Sequence, residues 1–237
     1  MKRILMLTAA FCVWGTVSQA AKPFNGWSVG AHGGWNQTRA DIDLSKIRIG
    51  ALQLENRNVS INSCLAGLHL DWTKSRANDF LFGIGLNIGY GFGASSGTQT
   101  DKKNVVVTPG ITANAKVDFE VKRKLYVELS TRLGWNFDNK WALYAILAAR
   151  TQRSSLTLST KFDSNGVELT EKNTSNDTIG GFAPGIGFDV HLNDRWSMGA
   201  QYKYYFESSS KTKVFKSDTK PIKFNSHDAL VKVSYHF

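Results

Sequence analysis

The chain has 237 residues, with 29 Lys plus Arg against 19 Asp plus Glu and a formal net charge of +10. It contains no phosphate-cradling glycine loop, zinc-ligand spacing or reactive cysteine pair, so no cofactor and no metal is expected. The basic excess suits an anionic lipid or polysaccharide surface as well as it suits a nucleic acid.

Residues 1–20 read as a cleaved signal peptide. Lys2 and Arg3 precede an apolar run from Ile4 to Val17, and the small residues Ser18 and Ala20 flank Gln19. The run is too short for a membrane-spanning helix, which needs roughly 20 apolar residues, and no second run of that length follows. Cleavage after Ala20 leaves one domain, 21–237, with 27 basic and 19 acidic residues. Cys12 lies inside the apolar run, which argues against a lipid-modified cysteine. Cys64 is then the only cysteine left, so no internal disulfide can form.

The mature chain alternates with a period of two, the signature of strands. The first strand, about Gly26 to Asn36, puts Trp27, Val29, Ala31 and Trp35 on one face and Ser28, Gly30, His32 and Asn36 on the other. The second, about Asn62 to Trp72, sets Cys64, Ala66, Leu68, Leu70 and Trp72 against Ser63, Gly67, His69 and Asp71. The third, Phe80 to Gly93, is the sharpest. Phe80, Phe82, Ile84, Leu86, Ile88, Tyr90 and Phe92 face one way, while the opposite face is nearly all glycine. A soluble sandwich would put polar residues opposite its apolar face. A small closed barrel has a cramped interior that small residues fit, with the bulky apolar ones turned toward lipid.

The fourth and fifth strands form a hairpin around Asp138-Asn139-Lys140, running from Leu125 to Phe137 and from Trp141 to Ala149. The sixth and seventh repeat the plan around Asn193-Asp194-Arg195, and the eighth closes the chain with Ala229, Val231, Val233, Tyr235 and Phe237 outward. The fold class is therefore all-β: an eight-stranded antiparallel up-and-down transmembrane β-barrel. Connections alternate between short (73–79, 138–140, 193–195) and long and polar (37–60, 94–122, 154–178, 207–225), the layout of outer-membrane barrels. Trp27, Trp72, Phe80, Phe137, Trp141, Trp196 and Phe237 fall at strand ends beside the short turns or chain termini, where an aromatic girdle belongs.

Charged residues with inward phase need partners in a confined interior. With Phe137 opposite Trp141, paired positions sum to 278, and Glu128 faces Arg150 as an expected interior ion pair. Asp71, Arg132, Asp189, Lys203 and Lys232 share that phase, which predicts a plugged barrel rather than an open pore. His32, His69 and His191 also face inward, from different strands and without metal-ligand spacing. Ser226, His227 and Asp228 carry the letters of a hydrolase triad but alternate between faces, so they cannot act in line. Arg123 and Arg153 have the outward phase. At about 3.4 Å per residue and a tilt near 40°, they stand about 36 and 30 Å above Phe137 and Trp141, beyond an apolar band about 25 Å tall. They are either lipopolysaccharide contacts or plain loop-base charges. The last long loop carries Lys211, Lys213, Lys216, Lys220 and Lys223, read either as a site for anionic host polysaccharide or as a solvated loop.

Gly26-Trp27-Ser28-Val29-Gly30, Gly134-Trp135-Asn136-Phe137-Asp138 leading into Trp141-Ala142-Leu143-Tyr144-Ala145, and the closing Val231 to Phe237 resemble the outer membrane protein β-barrel domain family. This porin-like family includes opacity proteins and is similar to the barrel of outer membrane protein A. The resemblance implies a bacterial outer-membrane location and recognition of Val231, Val233, Tyr235 and Phe237 by the outer-membrane assembly machinery. The peptidoglycan-binding domain of some relatives is not expected, because the chain stops at Phe237. The expected role is structural and interactive, in adhesion or envelope integrity. Its expected partners are outer-membrane lipid, lipopolysaccharide and a host surface ligand, with no nucleic acid, and the expected state is a monomer. The alternatives are a narrow porin for small solutes and, third, a lipid-modifying barrel enzyme, for which no outward Ser, His and acid cluster is visible.

Overall fold

The computed structural model describes residues 24–42, 48–49, 52–53, 57–76, 79–108, 111–138, 140–164, 167–210, 213–214, 217–218 and 222–237. The expected signal peptide lies outside these residues, as do the side chains of the last loop's lysines.

Every regular element described is a strand. The wall is built from β1 (Gly26–Ile42), β2 (Arg57–Ser75), β3 (Phe80–Phe92), β4 (Ile111–Phe137), β5 (Trp141–Ser164), β6 (Val167–His191), β7 (Trp196–Ser210) and β8 (Ile222–His236). Each pairs antiparallel with its chain neighbours, and β8 pairs back onto β1, so the sheet closes without a free edge. At the seam Ser28 faces His236, and the Phe237 amide donates to the Trp27 carbonyl at 3.0 Å.

The alternation read from the sequence sets which way side chains point. Along β3, Leu81, Gly83, Gly85, Asn87, Gly89 and Gly91 are buried in the lumen, while Phe82, Ile84, Leu86, Ile88, Tyr90 and Phe92 are exposed on the outer wall. Apolar side chains on the outside and glycines on the inside fit a wall whose solvent is hydrocarbon.

The inner glycines also make room for aromatic rings. Gly89 faces Tyr126 in register, and a Cβ at Gly89 would stand 2.6 Å from the tyrosine Oη and 2.7 Å from the Ala66 carbonyl oxygen. Gly187 is paired with Tyr144 in the same way on β6. Both tyrosines are therefore laid across a glycine of the adjacent strand, which fills the lumen with ring area where the wall has no side chain.

Two of the long connections are largely strand. Ala94–Thr108 continues past β3 and pairs with the upper half of β4, where residues 94–122 were expected to form a loop. Residues 154–178 are likewise mostly the upper parts of β5 and β6, paired from Ser154↔Asp177 to Ser164↔Val167. Their Thr- and Ser-rich sequence has high strand propensity but shows no apolar face, so period-two alternation could not reveal it. With 24 residues, β5 rises about 60 Å at 3.4 Å per residue and a 40° tilt, more than twice an apolar band of about 25 Å. A sheet of four antiparallel segments thus extends beyond the membrane-spanning wall.

Substituting Gly89 with Ala should displace the Tyr126 ring and lower stability by about 1–3 kcal/mol, as overpacking does. Urea unfolding in lipid vesicles measures it, and Ala substitution of the outward neighbour Ile88 should leave the Tyr126 fluorescence environment unchanged.

Candidate functional site

The lumen is occupied by a charge-neutral network. Asp71, Glu128, Asp189, Glu207 and Asp228 supply five negative charges, and Arg123, Arg132, Arg150, Lys203 and Lys232 supply five positive ones. All ten side chains are buried, and their pairs reach across the lumen rather than along the wall. Such groups are tolerated away from water only when each charge is matched and hydrogen-bonded.

In the upper layer Lys203 Nζ sits 2.6 Å from Glu128 Oε1, the Asn87 amide donates to the same oxygen at 2.8 Å, and the Tyr205 hydroxyl donates to Oε2. Arg150 Nη1 lies 2.5 Å from Asp228 and Nη2 lies 2.9 Å from Glu207, with the guanidinium 3.6 Å above the Tyr205 ring. Arg123 grips Glu207 with both terminal nitrogens, at 3.0 and 2.6 Å. In the lower layer Arg132 pairs with Asp71 at 2.7 Å and Lys232 with Asp189 at 2.8 Å, while Tyr144 donates to Asp189 at 2.9 Å. His32, bonded to Tyr126 at 2.5 Å, and His69, bonded to Ser234 at 2.9 Å, stand between the layers with ring centroids 5.9 Å apart.

The end of the barrel beside the short turns is closed by Phe24. This residue, just ahead of β1, is buried with its ring 4.2 Å from that of His191 and 6.5 Å from that of His236. Nothing in the sequence pattern marked it, because it precedes the first alternating residue.

Two expectations need correcting. Glu128 and Arg150 do stand opposite each other in register, along with Phe137 and Trp141, as the turn geometry required. They are not each other's ion partners: Glu128 is taken by Lys203, and Arg150 by Asp228 and Glu207. A direct pair would leave Lys203 and two carboxylates buried without compensation, a larger cost than any gain from the pair. Period-two reasoning gives neighbours along the wall and is blind to partners across the lumen.

Arg123 points into the lumen, only 4% exposed, instead of outward. The β4–β5 register shifts there: Arg123 faces Ser154 and Tyr126 faces Gln152, so Lys124 and Leu125 together oppose Arg153 alone. This one-residue β-bulge inverts the phase of β4 at Arg123 and Lys122, the first buried and the second exposed. On the other flank of β4, the pairing with β3 stops at Tyr90↔Leu125 and resumes at Ala94↔Lys122. Gly93 lies in that gap with φ +135°, a conformation L side chains rarely adopt. Arg153 remains exposed on the outer surface, where the sequence placed it.

Around the outer wall, Trp27, Phe137, Trp141, Trp196 and Phe237 are exposed, and Trp72 and Phe80 are half-buried, all at the end carrying the short turns. The register sets Trp27 against Trp72, Phe80 against Trp135 and Trp196 against Tyr235. A second outward belt, missed in the sequence, lies toward the opposite end. There Phe182 stacks on Phe206 at 5.1 Å, Tyr204 meets His227 at 4.7 Å, Tyr202 bonds His227 at 2.6 Å, and Tyr90 packs on Phe92 at 5.1 Å. Val231, Val233, Tyr235 and Phe237 all face outward on the seam strand. Ser226 and Asp228 are buried in the lumen while His227 faces out, so the three do not converge.

A family model for the outer membrane protein beta-barrel domain matches residues 4–237. The chain belongs to that family. Its place is the bacterial outer membrane, and it forms a β-barrel, here closed with eight strands. Among solved structures it is similar to Ail, the attachment invasion locus protein of Yersinia pestis, at 14% identity, with 90% of this chain and 99% of that one covered and a TM-score of 0.39. Neisserial surface protein A matches at 13% identity, 90% and 98% coverage and a TM-score of 0.41. The outer membrane protease OmpT from Escherichia coli matches at 9% identity, 90% and 97% coverage and a TM-score of 0.45. No curated protein matches the chain.

A double-mutant cycle separates the two pairings. Glu128→Ala and Lys203→Ala should show a coupling energy of about 1–3 kcal/mol in vesicle unfolding, whereas Glu128→Ala with Arg150→Ala should show a clearly smaller one.

Proposed function

We propose that this family member is a non-conducting barrel that presents its tall strand extension and loops to molecules outside the cell, in adhesion or envelope integrity. The observation carrying this reading is the filled lumen: five acids and five bases bridge the walls in two layers, and Phe24 stoppers one end. A narrow porin needs a continuous water path, and every one of these groups stands in it. With the working surface outside the membrane, function falls to the extension, as it does to loops on other rigid scaffolds.

On this reading the chain carries out no catalytic step, and its partners are outer-membrane lipid, lipopolysaccharide and a host surface ligand, with the barrel acting as a monomer. The outward row of Val231, Val233, Tyr235 and Phe237 serves the assembly machinery, since it presents an apolar strand end before the seam closes.

Planar-bilayer recording tests the central part. The intact protein should give no stable conductance steps, and a variant lacking both Arg150 and Asp228 should give at most brief, irregular openings; regular steps from the intact protein would overturn the proposal. Deleting Phe237 should reduce the amount of folded barrel in the outer membrane several-fold, read from heat-modifiable gel mobility, with synthesis unchanged.

A further inference from the structure

The bulge that turns Arg123 inward has a second effect on the outer surface. By setting Lys124 and Leu125 against one residue, it leaves Lys124 half-exposed on the same outer level as the exposed Arg153. The two cations line a cleft of about 400 Å³ together with Ser154, Asn176, Asp177 and Thr178. Among the described residues neither Lys124 nor Arg153 has an ion-pair partner within the protein. The one carboxylate in the cleft, that of Asp177, accepts the Thr178 amide at 2.7 Å through Oδ1. The lining therefore carries two positive charges against one negative.

The height of this cleft is fixed by the aromatic belt. Leu125, next to Lys124, is paired through β3 with Tyr90, whose ring packs on Phe92. On the other side Ala149, four residues below Arg153 on β5, faces Phe182 of the Phe182–Phe206 stack. Four residues along a tilted strand are about 10 Å of height. Lys124 thus stands level with the aromatic belt that marks the outer membrane–water interface and Arg153 just above it, at the depth of lipid headgroups.

We propose that Lys124 and Arg153 form a binding site for the phosphate of a phosphorylated glycolipid in the outer leaflet. Arg153 offers a planar fork suited to bidentate contact with phosphate oxygens, and Lys124 adds a second, more flexible charge. Ser154, Asn176 and Thr178 place hydroxyl and amide groups around the same space for the sugar or the remaining phosphate oxygens. The acyl chains of such a lipid would lie against the apolar wall below, beside Leu125 and Val127, which are exposed there. The proposal rests on the lipopolysaccharide partner named in the proposed function and on the membrane position of the barrel, not on the non-conducting reading, so a conducting barrel would leave it standing.

The test uses the full chain in phosphatidylcholine vesicles doped with diphosphorylated lipid A or with its dephosphorylated form, and counts lipid retained on the extracted protein by native mass spectrometry. Phosphorylated lipid should be retained in preference, and Lys124→Gln with Arg153→Gln, which removes both cationic contacts, should weaken that retention by about tenfold or more. Asp177→Asn should strengthen it, an outcome a fold defect would not produce. Equal retention of the two lipids, or of phosphorylated lipid by parent and double variant, would overturn the site. So would inorganic phosphate displacing the lipid at equal concentration, which would assign the cleft to a free anion.

Discussion

The rest of the structure depends on the pairing of buried charge inside a closed wall. An eight-stranded barrel turns half of each strand's side chains into a narrow interior and the other half toward lipid. The outward half gains nothing from packing against protein, so cohesion must come from the ladder of strand hydrogen bonds and from what fills the lumen. Here the filling is polar. Glu128 is held by Lys203, Asn87 and Tyr205, and Arg150 by Asp228, Glu207 and Ser226 with its face on Tyr205. Both of these groups have several partners, which is the condition under which a buried ionic network rigidifies a fold instead of weakening it.

The same constraint explains the irregularity in β4. Glu207 projects into the lumen near the top of β7 and meets Arg150 on one oxygen, leaving a second oxygen to be matched. A regular β4 would have sent Arg123 outward to lipid headgroups and left that oxygen in the lumen with one partner fewer. The bulge, with Gly93 in the gap on the adjoining strand, brings Arg123 in and completes the charge balance. The consequence on the outer face, two cations on one level, follows from the same extra residue. A single backbone feature thus links lumen neutrality to the character of the outer surface.

Much of this was legible in the sequence, and the reasons differ by element. The glycine and apolar faces of β3 specified strand, closure and orientation together, because no soluble sheet has use for glycines opposite such a face. The turn at Asp138 fixed the β4–β5 register down to Glu128 facing Arg150. Three kinds of feature stayed hidden. Contacts across the lumen, such as Lys203 with Glu128, join strands three apart in the ring and leave no trace in local periodicity. The bulge at Arg123 is a count of one residue between two strands, invisible from either alone. The upper parts of β4, β5 and β6 lack an apolar face because they stand clear of the membrane, so the rule that found the barrel passed over its extension.

The dependence of the whole account on orientation can be measured directly on β8. In a Cys64→Ala background, single cysteines at Ala229, Val231 and Val233 and at Leu230 and Ser234 would carry a fluorophore in vesicles containing brominated acyl chains. The account predicts strong quenching at 229, 231 and 233 and little at 230 and 234, since the first three face outward and the last two are buried in the lumen. Equal quenching at all five positions, or the reverse pattern, would contradict it.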